Sequence, residues 1–209
     1  MVNIFENIDS KNKYKLLHSF RADTYKYKAK ESILEIVKDS NNLCLITYGS
    51  VSFIANSISG NDYVIEKIDK NNIIGSKFYN INDIDIDIIT NEETEIISMN
   101  YSDVLNYNGK NKYYSVFMKN LFRILTEREK EINDRINILT KKTIRNKILK
   151  YFDILHRKNN SRIIYLTITY TELADYLAID RSAMTREIKN LKDEGFISIT
   201  GKRITLLYK

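Results

Sequence analysis

The chain has 209 residues, with 33 Lys and Arg against 27 Asp and Glu, and is long enough for one generous domain or two small ones. A single cysteine, Cys44, excludes an internal disulfide and an all-cysteine metal or iron–sulfur site. Its apolar runs, such as Leu43–Tyr48 and Ile86–Ile89, stop far short of the ~20 residues needed to cross a bilayer.

The net charge of +6 is unevenly placed. Residues 141–209 hold 15 basic and 7 acidic side chains, a balance of +8, whereas residues 1–140 hold 18 and 20, a balance of −2. Positive charge confined to one third of a chain is expected where a module meets a polyanion; a solvated basic face without a partner is the plainer alternative. Met1–Glu6 has neither a basic start nor a long apolar stretch, so no secretory signal is expected and the cytoplasm is the expected compartment.

From about Glu31 to Met99 the pattern predicts β-structure. Stretches rich in Ile, Val, Phe and Tyr are separated by turn formers at 39–42, 59–62 and 69–72. Residues 43–54 read as strand, tight turn at Gly49, strand, and Tyr63–Ile68 follows as a partner strand. Strands at roughly ten-residue spacing suggest a small antiparallel barrel or sandwich. Residues 80–90 alternate Ile with Asp or Asn, the period of a strand with one buried face, which places Asp83, Asp85 and Asp87 on a solvated edge rather than in a metal site.

From about Asn111 to Leu139 the period becomes helical. Met118, Leu125, Ile132 and Leu139 recur every seven residues, with Leu121, Ile124 and Ile136 beside them, which suggests two helices packed along their length. Arg128 and Arg135 interrupt the second seam position, and one amphipathic helix packed on its own domain is the competing reading. The candidate dimerisation residues are Met118, Leu121, Leu125, Ile132 and Leu139.

A further helix over about Lys141–His156 and a strand over Ile163–Leu166 lead to the sharpest signal. Thr169-Tyr170-Thr171-Glu172 is a capping box, in which Thr169 caps the helix and Glu172 reaches back. The helix presents Leu173, Ala174 and Leu177; a turn at Ala178-Ile179-Asp180 opens a second helix with Met184, Ile188 and Leu191 facing inward. This is a helix-turn-helix by spacing and residue size, with small Ala174 where the helices cross. Outward-facing Arg181, Ser182, Thr185 and Arg186 are candidates for base readout, since short residues admit the helix to a groove and Arg can pair with guanine O6 and N7. After Gly195, residues 196–208 read as a β-hairpin wing. Lys202 and Arg203 at its tip, with Thr171 and Lys189, are candidates for phosphate contact.

In these segments the chain resembles the CRP/FNR family of transcription regulators, from about Ile33 to Lys209. Residues 43–51 resemble that family's strand and Gly-Ser-Val turn, Ile68–Gly75 the approach to its phosphate-binding cassette, and Thr169–Gly201 its winged helix. The resemblance implies an α+β protein: an N-terminal antiparallel, jelly-roll-like β-roll that senses an effector (1–110), a long dimerisation helix (111–140) and a C-terminal winged helix-turn-helix (141–209). It also implies a homodimer on a near-palindromic site in double-stranded DNA, with RNA polymerase as a further partner. Cyclic-nucleotide binders of the family carry Glu just after the cassette glycine and an Arg-Ser pair before the next strand. Here Ser76 follows Gly75, Ile84-Asp85 falls at the Arg-Ser location, and Arg128-Glu129 replaces the hydroxyl pair of the long helix. A cyclic nucleotide is therefore not the expected effector.

No Ser/His/Asp signature, zinc spacing or Gly-rich phosphate loop is visible, so no catalytic residue, metal ligand or cofactor is assigned and no enzyme is expected. Cys44, His18 and His156 are taken as ordinary residues. Two other readings stay open: a ligand sensor acting through protein partners, and a non-specific DNA-binding protein.

Overall fold

The computed structural model describes residues 2–55, 63–79 and 86–208. The chain divides into two compact units, 1–127 and 128–209. Among the described residues no helix is long and apolar enough to cross a membrane.

In the first unit, α1 (Ser10–Ser19) precedes β1 (Asp23–Tyr27) and a one-turn helix α2 (Leu34–Lys38). Then come β2 (Asn42–Tyr48), β3 (Ser50–Ala55), β4 (Tyr63–Asp69), β5 (Ile73–Ile74), β6 (Ile86–Thr90), β7 (Thr94–Asn100) and α3 (Tyr101–Leu105). The strands form two antiparallel sheets, of order β1-β7-β2-β5 and β4-β3-β6. β2 and β3 are thus joined in sequence but belong to different sheets. Gly49 makes the switch at φ +79°, and a Cβ there would collide with the Glu93 carbonyl.

Strand β2 is buried on both faces, which explains its unbroken apolar run. Leu43 and Leu45 pack with Leu16, Phe20, Met99, Phe117 and Leu121, while Cys44 and Ile46 pack with Val51, Phe53, Ile74, Ile88 and Ile96. Burial pushes the Cys44 thiol up to about 12. Of the predicted strand over 80–90, only 86–90 lies among the described residues, so the placement of Asp83 and Asp85 falls outside them. Asp87 is half-buried rather than solvated: it accepts hydrogen bonds from the Ser32 hydroxyl (2.6 Å) and the Ile88 N–H (2.7 Å).

Helix α4 (Tyr114–Leu139) begins in the first unit and ends in the second. It is followed by α5 (Ile144–Asn159), β8 (Ile163–Tyr165), α6 (Tyr170–Leu177), α7 (Arg181–Asp193), β9 (Ile197–Thr200) and β10 (Arg203–Leu206). One core holds the second unit together. Ile138 of α4, Ile148 and Phe152 of α5, Leu173 and Leu177 of α6, Met184, Ile188 and Leu191 of α7, and Ile164 and Ile204 of the sheet are all buried in it. The sheet has the order β8-β10-β9, and Arg203 pairs with Thr200 across the hairpin turn.

Candidate nucleic-acid interface

The helix-turn-helix begins where the capping box predicts. The Thr169 side chain accepts the Glu172 N–H (3.2 Å), and the Glu172 carboxylate accepts the Thr169 N–H (2.7 Å). Such a cap is worth about 1 kcal/mol. At the end of α6, Ala178 is left-handed (φ 49°, ψ 59°), at a cost of roughly 1–2 kcal/mol for a residue with a Cβ. Lys147 of α5 offsets part of that cost. Its ammonium donates to the carbonyls of Leu177 (3.0 Å) and Ala178 (3.3 Å), the acceptors a helix end leaves without partners.

Asp180 opens α7. Its carboxylate accepts the Ser182 hydroxyl (2.6 Å) and the Ala183 N–H (2.8 Å), and these hydrogen bonds hold its pKa below the ordinary aspartate value. Met184, Ile188 and Leu191 point into the core, each such burial being worth ~1.5–3 kcal/mol. That fixes which face stays out: Arg181, Ser182, Thr185, Arg186 and Lys189 are all exposed. The hydroxyls among them are engaged locally, Ser182 with Asp180 and Thr185 with the Arg181 carbonyl (2.8 Å). Among the described residues, Arg181, Arg186, Lys189, Lys202 and Arg203 are in no ion pair. The guanidinium groups and the Lys189 ammonium therefore carry the free donors of this face. Thr171 is exposed in the first turn of α6, and Lys202 and Arg203 are exposed at the wing.

Two side chains of α5 that the sequence did not single out hold this face in place. Arg145 donates from Nε to Glu187 (2.6 Å) and from both terminal nitrogens to Glu194 (2.5 and 2.8 Å), tying α5 to the middle and end of α7. The pairing lowers the pKa of Glu194 and raises that of Arg145. Lys147 is the second. Neither left a sequence signal, because their partners lie some 30 to 49 residues away.

Along α4 the seam residues separate. Leu121 is buried in the first unit's own core, with Phe117 and Ile124, and Met118 and Leu125 pack partly against it. Ile132 and Leu139 are exposed. The exposed apolar stripe takes its second position from Phe122 (71% exposed) and Ile136, four residues after Met118 and Ile132. Glu129, not Arg128, is the polar residue in that row. Of the positions that bear on cyclic-nucleotide binding, Ile84-Asp85 lies outside the described residues. Ser76 is half-buried with its hydroxyl oxygen screened from solvent, and its backbone N–H donates to the Val37 carbonyl (3.1 Å).

Residues 147–208 match the Crp-like helix-turn-helix domain family. Over 117 residues the chain is 27% identical to ycf28 of Porphyra purpurea, a protein named as an HTH-type transcriptional regulator. The match covers 54% of this chain and 48% of that one, so the chain matches about half the length of this curated relative. Among solved structures, a CooA mutant from Carboxydothermus hydrogenoformans superposes with a TM-score of 0.69 at 16% identity, covering 99% of this chain and 92% of that one. A cyclic nucleotide-binding domain containing protein from Listeria monocytogenes gives 0.65 at 14%, covering 94% and 97%. The c-di-GMP responsive global regulator CLP from Xanthomonas campestris gives 0.59 at 16%, covering 96% and 100%. The chain shares the fold of these solved structures, and the match to the Crp-like helix-turn-helix domain covers its C-terminal segment.

Proposed function

We propose that this Crp-like chain is a sequence-specific transcription regulator that binds double-stranded DNA as a homodimer on a near-palindromic promoter site. One observation carries the reading: α7 sets Arg181, Ser182, Thr185 and Arg186 on an exposed face, with its arginines unpaired, above a buried Met184–Ile188–Leu191 row. The side chains on that face suit base readout in the major groove, with Lys189, Thr171, Lys202 and Arg203 on phosphates. The work divides as effector sensing in 1–110, dimerisation through 111–140 and DNA binding in 141–209. Dimerisation uses the Met118, Leu125, Ile132 and Leu139 row, to which exposed Phe122 and Ile136 add the second position; Leu121 supports the helix from inside its own unit. RNA polymerase is the further partner. The effector is not a cyclic nucleotide, because the residue after Gly75 is Ser76 and not a carboxylate for a ribose.

The test is selection of bound fragments from the source genome, followed by mobility shifts and sedimentation of the complex. A dyad-related motif, with half-site centres about one helical turn apart and two chains per site, is the expected result. Affinity that varies little with sequence and falls steeply with salt would establish the non-specific reading instead. A stable protein that shifts no fragment would point to a sensor acting through protein partners.

A further inference from the structure

A cleft of about 740 Å³ opens in the first unit, lined by α1 on one side and by residues 107–113 on the other. Its size is that of a small-molecule site. From α1 come Lys15 and His18, nearly one turn apart, with Tyr14, whose ring centre lies 6.4 Å from that of His18. The opposite side supplies Lys110, Lys112 and Tyr113, with the Lys112 ammonium 5.2 Å from the centre of the Tyr113 ring. No lining residue is acidic. That is not an echo of composition, since residues 1–140 are net acidic. Asp9, which Tyr113 of this wall touches, is already engaged chiefly by Asn12 and more weakly by Tyr113.

The 107–113 side is held by contacts of its own. Tyr107 packs edge-on to Phe20 (5.8 Å between centres) and against Tyr114 (4.7 Å), and its hydroxyl accepts the Asn111 N–H (3.3 Å). The loop folds onto this ring at Gly109, where a Cβ would collide with the Tyr107 phenol. The Asn111 carboxamide oxygen accepts the Tyr113 N–H (3.0 Å), which fixes its orientation. Its Nδ2 is screened from solvent and has no acceptor. The cleft therefore combines cations, the exposed ring of Tyr14, the half-buried ring of Tyr113 and an unsatisfied donor. None of its lining residues belongs to the Gly75–Asp85 segment or to α7.

We propose that this cleft binds a small molecule that joins a planar base to several phosphate groups, of the nucleoside polyphosphate type. Lys15, Lys110 and Lys112 neutralise the phosphates, and Tyr14 or Tyr113 stacks on the base. A bare polyanion would leave the tyrosines unused, and an uncharged aromatic would leave three lysines without a counter-charge.

Calorimetric titration of the full chain with ATP, adenosine and tripolyphosphate tests this. ATP should bind once per chain, with adenosine and tripolyphosphate each weaker by roughly tenfold or more. The double variant Lys15→Ala/Lys112→Ala should lower ATP affinity by about tenfold, and Tyr14→Ala by several-fold, while the thermal midpoint stays unchanged because all three side chains are exposed. Failure of ATP to bind at millimolar concentration overturns the proposal. So does ATP affinity unaltered in the double variant, which would place the nucleotide elsewhere, for instance on the basic C-terminal unit. Tripolyphosphate binding as tightly as ATP would reduce the cleft to a patch of charge and overturn the aromatic half of the assignment.

Discussion

Replacing Arg186 with alanine removes one side chain from the exposed face of α7 and nothing from its core. Arg186 is exposed and in no ion pair, and its interaction with Asp180 is the weakest of the influences on that carboxylate. The substitution should therefore change folding stability by no more than about 0.5 kcal/mol, so any loss of binding belongs to the interface. In the free protein the Ser182 and Thr185 hydroxyls donate to Asp180 and to the Arg181 carbonyl, which leaves Arg186 and Arg181 as the donors able to pair with a base without first breaking a bond. A bidentate Arg–guanine pair is worth roughly 1–3 kcal/mol of discrimination, or about 5- to 150-fold per half-site. The assay is competition binding of wild type and Arg186→Ala against the selected site and every single-base change of it. Wild type should lose that factor at one base pair in each half-site. The variant lacks the side chain in both protomers, so it should bind the true site more weakly by that factor at each half-site, about its square in all, be indifferent at that pair, and keep its preferences elsewhere. Unaltered base preference in the variant would refute the assignment and mean that the helix docks by another face.

The wing should behave differently: Lys202→Ala is expected to weaken all DNA sequences about equally and to lower the log–log salt slope by about one unit for each phosphate no longer neutralised, as binding at two salt concentrations will show. A changed consensus would make the wing a reader of bases or groove shape. On α4, Phe122→Lys places an ammonium in the exposed apolar stripe without touching the unit's own core. Sedimentation should show a shift toward monomer, with DNA affinity falling alongside it, and an unchanged dimer would remove the stripe from the interface. Arg145→Gln removes the tie between α5 and α7. Glu194 has a folded pKa below its unfolded value, so the contribution is present above the unfolded carboxylate pKa and is lost as pH falls through the folded one. Melting curves should therefore separate wild type from variant at pH 7 and converge toward pH 3; a difference independent of pH would assign the loss to packing.

The second unit was legible because its signals are local. A capping box, an N-cap aspartate and a Met184–Ile188–Leu191 row sit within 23 residues, and each constrains the backbone by itself. What holds those helices together was not, since Arg145 and Lys147 find their partners far along the chain. In the first unit, α1 shows no helical period because its only fully buried residue is Leu16, with Leu17 half-buried beside it and most of the rest polar, while α2 is too short to show a period. The sheet partition at Gly49 is equally invisible: adjacent strands with a tight turn look alike whether they pair or part. On α4 the seven-residue period could not tell which of two neighbours faces outward. Leu121 and Phe122 are both apolar, and only burial distinguishes them.

The depth at which Cys44 sits has a practical consequence. Its thiol is fully shielded and burial holds its pKa far above neutrality, so thiol-directed reagents have almost nothing to attack. The unaltered chain is thus a near-silent background for labelling. A cysteine placed at Thr200 on the wing or at Asn137 on α4 would be the one reactive position. A fluorophore or spin label there could test for the proposed dimer on DNA, without the native cysteine first being removed.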